Sequence, residues 1–584
     1  MLKSITYLVL FTILSGWFST LCAQTDLKGY VKDQATGLPI AYCSIAIKNN
    51  HTGTISNEEG EFILSMNNTD TLLFSCIGYK KQKTSAASFI KNSVIKLIPN
   101  VNTISEVTVT ADNSFLYDIM ENCRKRLLLS KDKTSKVYFV LESEIEKQPV
   151  ELLESYYNGT VNNSSIKDLR FKNGRVGVAP RDSGFFLNLN TSKAIAYISL
   201  LNNNGFFPVI PFQLSKAKLK KEYNLTLKSL YTTNSTIYHI TYSAVQKNGS
   251  HFDGEVWVDK NNYELVKIIL TVSDAQTHPF TPIFPKSKIE KVDLEISKSY
   301  KTEQASNTLE HINFSYTLKY STSKSVRMID PETPKEVTTK CLMYFYDYDH
   351  LFFIPHFEYN NLIDDYRKIS LLSYNDDFWK DNKGLIYSEK MRNGIRYFKT
   401  NGFLINYKGK INSGTKIFET NNIIWNKDLR ISVKKNIIKD DTLKKYEFNN
   451  QPFLSSLYNL KSQIFFDVNT INDTIRHYSV SVFDVYETFY HLPEESYTNC
   501  FINIYFDLCE IERRKMEEKL SNTKLTIPQI DLIYTEASNN LHESEKKYLK
   551  EVQMGKNTLK LKAWNQYVYE QLNIDNFKIF NITN

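Results

Sequence analysis

Between Phe252 and Ser273 the chain reads FDGEVWVDKNNYELVKIILTVS, with apolar residues alternating on both sides of Asp259-Lys260-Asn261-Asn262. That is the pattern of two strands joined by a turn. Period two commits a segment to extended structure with one buried face and one wet face. KVYFVLESEIEK (136–147) and TIYHITYSAV (236–245) repeat it. A 584-residue chain of this kind is expected to form three or four domains, mainly β. Hydrophobic residues at 42% and charged residues at 23% are globular composition and exclude wholesale disorder. The balance of 72 basic against 64 acidic residues, net +8, is too dilute over this length for a nucleic-acid surface.

The N-terminus reads as a signal peptide over 1–23. Lys3 supplies the positive region, Leu8–Leu14 the apolar core, and cleavage is expected after Ala23. Lipidation at Cys22 is the alternative, but Leu21 stands where lipoprotein signals want a small residue. No later stretch is long and apolar enough for a membrane helix. The chain is therefore expected to be exported, and to be periplasmic or associated with the outer membrane, with peripheral membrane contact open. A membrane barrel fits poorly, because YKGKINSGTKIFET (407–420) lacks clean alternation and the chain ends FNITN. Six cysteines remain after cleavage, in no zinc spacing. Cys43 and Cys76 lie in apolar strands, either paired or as small core residues. Cys500 and Cys509 share an expected helix, which keeps them apart.

Residues 28–111 read as short strands broken by turns, the pattern of a small sandwich. Gly29, Val31, Asp33, Thr36, Gly37, Pro39 and Ile40 form one motif, Gly53 to Phe62 a second, and Ile77-Gly78-Tyr79 a third. With these, residues 24–112 resemble the carboxypeptidase-regulatory-like domain of Bacteroidota envelope proteins. Ile104–Ala111 is similar to the segment closing that domain in TonB-dependent receptors. The resemblance implies a transthyretin-like β-sandwich that accompanies other domains, and no peptidase activity. Asp33 and Glu58 are expected to solvate turns rather than bind a cation.

Residues 113–400 read as a β-rich central domain. Phe115 to Leu129 has helical spacing with Ser114 as the expected N-cap. Gly254–Asp259 followed by Leu265-Val266-Lys267-Ile268 resembles the curved sheet of lipoprotein-sorting half-barrels, which implies a lipid-binding concavity. The plainer expectation is a sheet packed on its own helix. The segments around Asp364–Ile369 and Tyr374–Trp379 resemble the end of exported Bacteroidota proteins of unknown function. His350 and His356, near Asp347, Asp349 and Glu358, are the candidate metal ligands. Their spacing fits no common register for two ligands, so aromatic packing is the expectation.

Residues 401–584 read as α+β with long amphipathic helices. NIIWNKDLRISV (422–433) and LKSQIFFDVN (460–469) look like strands. Tyr497–Leu520 is an expected helix with Phe501, Ile504, Tyr505, Leu508 and Ile511 inward and Glu510, Glu512, Arg513 and Arg514 outward. A second helix is expected from Pro528 to Met554 with Gly555 as its C′ residue, and a third from Trp564. The order of Trp425, Phe506-Asp507, Glu510, Arg513-Arg514, Gly555-Lys556-Asn557 and Trp564 resembles predicted secreted zinc proteases. The zinc motif is lost: Phe501 and Tyr505 stand at the two imidazole positions and Ile502 at the glutamate position. Asp507, Glu510 and Arg514 are expected to form a charge network rather than acid–base machinery.

GxSxG, GxGxxG and the P-loop are absent, and no cofactor is expected. The sequence therefore points to a non-catalytic envelope protein that binds a protein, glycan or lipid, with a pseudoenzyme at its C-terminus. An exported hydrolase with an unrecognised site and a component associated with a TonB-dependent receptor are the alternatives.

Overall fold

The structure is a computed structural model that describes residues 25–48, 53–91, 93–100, 113–179, 191–232, 236–280, 287–303, 306–322, 335–348, 350–359, 363–372, 374–382, 385–405, 422–436, 458–471, 474–485, 487–490, 492–521 and 525–582. The expected signal peptide with Cys22, the segment 104–111, Asp349 and residues 407–420 lie outside them. Among the described residues no helix is long and apolar enough to cross a membrane.

The first unit is two small sheets around one core. Strands β1 (Thr25–Asp33), β4 (Glu61–Met66) and β7 (Val94–Leu97) form one, in the order β4-β1-β7. Strands β2 (Ser44–Ile47), β3 (Gly53–Ile55), β5 (Thr71–Ser75) and β6 (Gln82–Ser85) form the other, in the order β3-β2-β5-β6. Val31, Ile45, Phe62, Phe74 and Leu97 meet between them, and Phe89 of the short helix Ala86–Lys91 fills the end. Asp33 shapes the turn after β1: its Oδ1 accepts the amides of Ala35 and Thr36, and Gly37 takes φ +73°. Tyr79 donates its hydroxyl to Asp33 Oδ2 at 2.8 Å, which accounts for both oxygens of that carboxylate.

The second unit is an eleven-stranded antiparallel sheet. It holds β8 (Lys133–Ile145), β9 (Gln148–Val161), β10 (Ile166–Val178), β11 (Tyr223–Thr232), β12 (Thr236–Ala244), β13 (Asp253–Asp259), β14 (Leu265–Val272), β15 (Ser287–Glu303), β16 (Ser306–Thr322), β17 (Lys335–Tyr346) and β18 (Leu404–Ile405). The order is β11-β12-β13-β14-β15-β16-β17-β8-β9-β10-β18, so the sheet draws its last strand from beyond residue 400. The β13–β14 hairpin forms as its alternation predicts.

Register gives the sheet two unlike faces. Leu270, Ile296, Phe314, Cys341, Leu141, Leu153 and Val176 are successive cross-strand neighbours on one face. The helix Ser114–Leu128 covers this face with Leu116, Ile119, Met120 and Cys123, helped by Ile195, Phe207, Phe212 and Leu219. Residues one step along the same strands point to the other face. Ser114 begins the helix rather than capping it. Asn113 occupies the N-cap position without a side-chain bond, and its amide side chain instead donates to the Leu225 carbonyl.

The third unit packs helices on a small sheet. Strands β19 (Ile423–Ile424), β21 (Ser462–Ile471) and β22 (Thr474–Phe483) run in the order β19-β22-β21, and the short β20 (Tyr458–Asn459) pairs with Phe489–Tyr490. The helices Thr498–Leu520, Ile527–Val552 and Thr558–Leu572 pack with it around one core. Four expectations need correction. Only Ile423–Ile424 of 422–433 is strand, because Asn426 starts a turn by accepting the Asp428 amide. Glu510 and Glu512 are buried, not outward, since each is ion-paired on its own helix. The second helix stops at Val552: Gln553 and Met554 take left-handed φ before Gly555 does. The third begins at Thr558, capped by Asn557, so Trp564 sits mid-helix.

Candidate functional site

One polar row crosses the second face of the large sheet. Register places Asp253 opposite Thr271, Thr271 opposite Glu295, Glu295 opposite Ser315, Ser315 opposite Lys340 and Lys340 opposite Glu142. Neighbouring strands lie about 4.8 Å apart, so these side chains form a regular ladder of donors and acceptors. The row then turns apolar, as Glu142 meets Leu152 and Leu152 meets Gly177. There the helix Glu389–Thr400 covers the sheet with Met391 and Phe398.

The sandwich docks on this same face. The Tyr42 ring lies 5.6 Å from the His311 ring, and Lys340 reaches Glu58 at 3.6 Å. Asn57 donates to the Tyr387 carbonyl at 3.2 Å, and Arg392 donates to Glu61 at 2.9 Å. The Glu389 amide donates to Glu59.

Two hollows lie along the row. An open groove of about 490 Å³ is lined by Asp253, Thr271, Asp293, Glu295, Ser315 and Lys340, among others. A cleft of about 600 Å³ lies between sandwich, sheet and helix, where Glu59, Glu142, Glu144 and Glu389 line it with Lys147 and Lys390. Lys390 pairs with Glu144 at 3.0 Å. Burial, helped by the nearby carboxylates of Glu144 and Glu58, pushes the Glu142 carboxyl up to about 7 against the pull of Lys390 and Lys340. Glu142 Oε1 and Glu59 Oε2 are buried with no hydrogen-bond partner among the described residues. A carboxyl near pH 7 with an unused oxygen can donate or accept as a ligand requires.

The residues singled out in the sequence lie elsewhere and apart. His350 is exposed and bonds Asp347 at 3.1 Å, while Asp347 also pairs with Lys136. His356 lies flat on Tyr534, with ring centroids 4.1 Å apart, and bonds Asp531 at 2.7 Å. Its main chain also bridges to Phe466. Burial lowers the His356 imidazole, opposed by Asp531. Among the described residues no group of three His, Cys, Asp or Glu is placed to hold a metal ion. Phe501, Ile502 and Tyr505 are core residues: Phe501 stacks on Tyr548, and Tyr505 donates to the Leu460 carbonyl.

The charged residues on that helix do meet partners. Asp507 accepts from Trp425, Arg430 and Asn576, each at 2.8 Å. Glu510 takes both forks of Arg513 at 2.8 Å, Arg514 at 2.9 Å and Ser481 at 3.0 Å. Asp507 and Glu510 share no hydrogen-bond partner, but the Arg514 guanidinium lies 5.3 Å over the Trp425 ring and joins the two sets, with every carboxylate oxygen used in holding the core together.

None of the polar-row residues carried a motif in the sequence. The signal that could have found them is the polar set of each strand taken together, but only register makes those sets one surface.

Residues 27–109 match the family model described as the CarboxypepD_reg-like domain. Over 83 residues the chain is 36% identical to the TonB-dependent receptor SusC of Bacteroides thetaiotaomicron, a stretch that is 14% of this chain and 8% of the receptor. Among solved structures, a LolA superfamily protein from Nitrosomonas europaea is 10% identical, covering 39% of this chain and 93% of its own, with a TM-score of 0.15. The Pseudomonas aeruginosa MucA/MucB complex is 8% identical, covering 38% and 92%, also with a TM-score of 0.15. TM-scores of this size assign the large sheet to no fold family. The chain is a mainly β, multidomain protein with an α-helical C-terminal part, and its N-terminal unit matches the CarboxypepD_reg-like domain.

Proposed function

We propose that this chain is a non-catalytic cell-envelope binding protein whose ligand lies along the polar face of the large sheet. The observation that carries this reading is the row Asp253–Thr271–Glu295–Ser315–Lys340–Glu142, along which two hollows lie. The apolar face is packed by the protein's own helices among the described residues, which favours a polar ligand over an acyl chain. Alternating carboxylates, hydroxyls and an ammonium suit a hydroxyl-rich molecule, and a glycan is the ligand class we favour. The envelope location rests on the N-terminal family match and the SusC likeness.

In this reading the unit up to residue 112 docks, the unit to about residue 405 binds, and the remainder is a structural descendant of a zinc hydrolase. The last point is supported by Trp425, Asp507, Glu510, Arg513 and Arg514, which the resemblance singles out and which bond among themselves or to core partners. Titration calorimetry of the purified chain against soluble neutral and acidic oligosaccharides tests the reading. Binding is expected, and the Thr271→Ala/Glu295→Ala double variant is expected to weaken it at least tenfold. Equal binding by that variant, or catalytic turnover of a bound sugar, would overturn it. The SusC match favours a second reading, association with an outer-membrane receptor. Recovery of the native protein in a detergent-extracted complex with such a receptor would support it, whereas a wholly soluble pool would not.

A further inference from the structure

Cys43 and Cys76 belong to the four-stranded sheet of the sandwich. Strands β2 and β5 pair antiparallel with Ser44 opposite Ser75. One further step of the same register sets Cys43 opposite Cys76. The Lys48 amide donates to the Thr71 carbonyl, so bonded pairs fall at 48/71 and every second pair after it. The pair 43/76 is then of the non-bonded kind. The rest of the Cys43 backbone agrees, because its amide donates to Ser56 Oγ at 2.9 Å and its carbonyl accepts from the Ser56 amide at 3.0 Å. Both groups turn away from β5. In such pairs the Cα atoms are about 4.5 Å apart, inside the range of roughly 4.4–6.8 Å that a disulfide spans.

The side chains share a face as well. Cys43, Ile45 and Ile47 are buried on β2, as are Leu72 and Phe74 on β5, and the same alternation carries Cys76 to the core side. Cys76 packs against the core that contains Cys43. The Cys43 sulfur already sits 3.6 Å from the carbonyl of Ser75, the residue before Cys76. The structure carries both as thiols, along with Cys123, Cys341, Cys500 and Cys509.

We propose that Cys43 and Cys76 are a cross-strand dithiol that closes into a structural disulfide when the chain folds in the presence of a disulfide donor. Either thiol can open the exchange, and Cys76 serves as the example. Its thiolate attacks one sulfur of the donor and expels the other as a thiolate, leaving a mixed disulfide. The Cys43 thiolate then attacks Cys76 Sγ and expels the second donor sulfur. The cysteines lose two protons and two electrons, and the donor disulfide is reduced to two thiols. Burial raises both thiols of the folded protein, Cys43 well above its ordinary value and Cys76 to about 11. Closure therefore belongs to folding, before the sheet buries them, and once formed the bond is shielded from exchange. The proposal is independent of what the polar face binds.

The test is peptide mapping of the full chain refolded with oxidised glutathione, then alkylated and digested without reductant. A linked peptide holding Cys43 and Cys76, lighter by two hydrogens than its parts and split by reductant, is the expected product. Cys123, Cys341, Cys500 and Cys509 should be alkylated once the chain is unfolded. Alkylation of both Cys43 and Cys76 in that sample overturns the proposal. As a second readout, the Cys43→Ser chain refolded with oxidised glutathione, then reduced under denaturing conditions only after free thiols are blocked, should show Cys76 labelled in the blocking step or held as a glutathione adduct, where the wild type shows neither. Equal labelling of the two proteins at Cys76 counts against it.

Discussion

Single buried charges set the sharpest residue-level constraints. Lys172 on β10 pairs with Asp467 on β21 at 2.6 Å, with side chains 2% and 7% exposed, and also donates to the Val468 carbonyl. The pair ties the large sheet to the C-terminal unit. Lys172→Met leaves a buried carboxylate uncompensated and should cost about 3–5 kcal/mol, while Lys172→Met with Asp467→Leu should recover most of it. Denaturant midpoints at unchanged slope check both. Glu545 makes a pH prediction. Burial pushes its carboxyl from 4.5 up to about 7, although Ser462 donates to it at 2.5 Å. Between these values the folded state holds a proton that the unfolded state has released. Its stabilising contribution is therefore complete below about pH 4.5 and lost as pH rises through about 7, by about 3 kcal/mol. Glu545→Gln should remove that slope from the stability–pH curve, and an unchanged slope would count against the assignment.

At the scale of elements, close approach decides where helices sit. Gly177 on β10 faces the Glu389–Thr400 helix, and a Cβ there would lie 2.6 Å from Phe398 Cγ. Gly177→Ala should cost about 1–3 kcal/mol by pushing that helix off the sheet. Combined with Phe398→Leu the cost should fall below the sum of the two single changes, as a double-mutant cycle would show. The Thr498–Leu520 helix teaches the opposite lesson about patterning. Its apolar stripe was legible in the sequence, but its charged side was read as solvated. Ser481 of β22 lies over Glu510, and Arg513 and Arg514 neutralise that carboxylate, so Glu510 is buried while Arg514, Lys515 and Glu518 stay exposed.

For the whole molecule, the sandwich is a lid on the polar face rather than a separate appendage. Arg392 to Glu61, Asn57 to the Tyr387 carbonyl and Glu59 to the Glu389 amide hold it there. Arg392→Ala should speed amide exchange at Glu389 and across residues 57–61, with the strands of the large sheet unaffected. Unchanged exchange at both places would mean that docking depends on other contacts. The cleft carries its own expectation. Removing the unused carboxyl with Glu142→Gln should leave the fold intact and flatten any change in ligand affinity across pH 7, read by calorimetry at pH 6 and 8.

Local physics decided much of this protein from the sequence alone. Period-two alternation specified β8, β12, β13 and β14, because a one-residue slip would turn every buried side chain to water. Turn chemistry at Asp33 and Gly37 and the helical stripe from Phe501 to Ile511 were likewise readable, since each depends on neighbours a few residues away. The polar row was not readable. Lys340 meets Glu142, and Glu295 meets Thr271 and Ser315, only through the register of strands far apart in sequence. His350 and His356 were close in sequence yet bind different partners, Asp347 and Asp531. Adjacency along the chain sets local conformation, whereas which charges share a surface, and which are buried in pairs, is settled only when the units pack together.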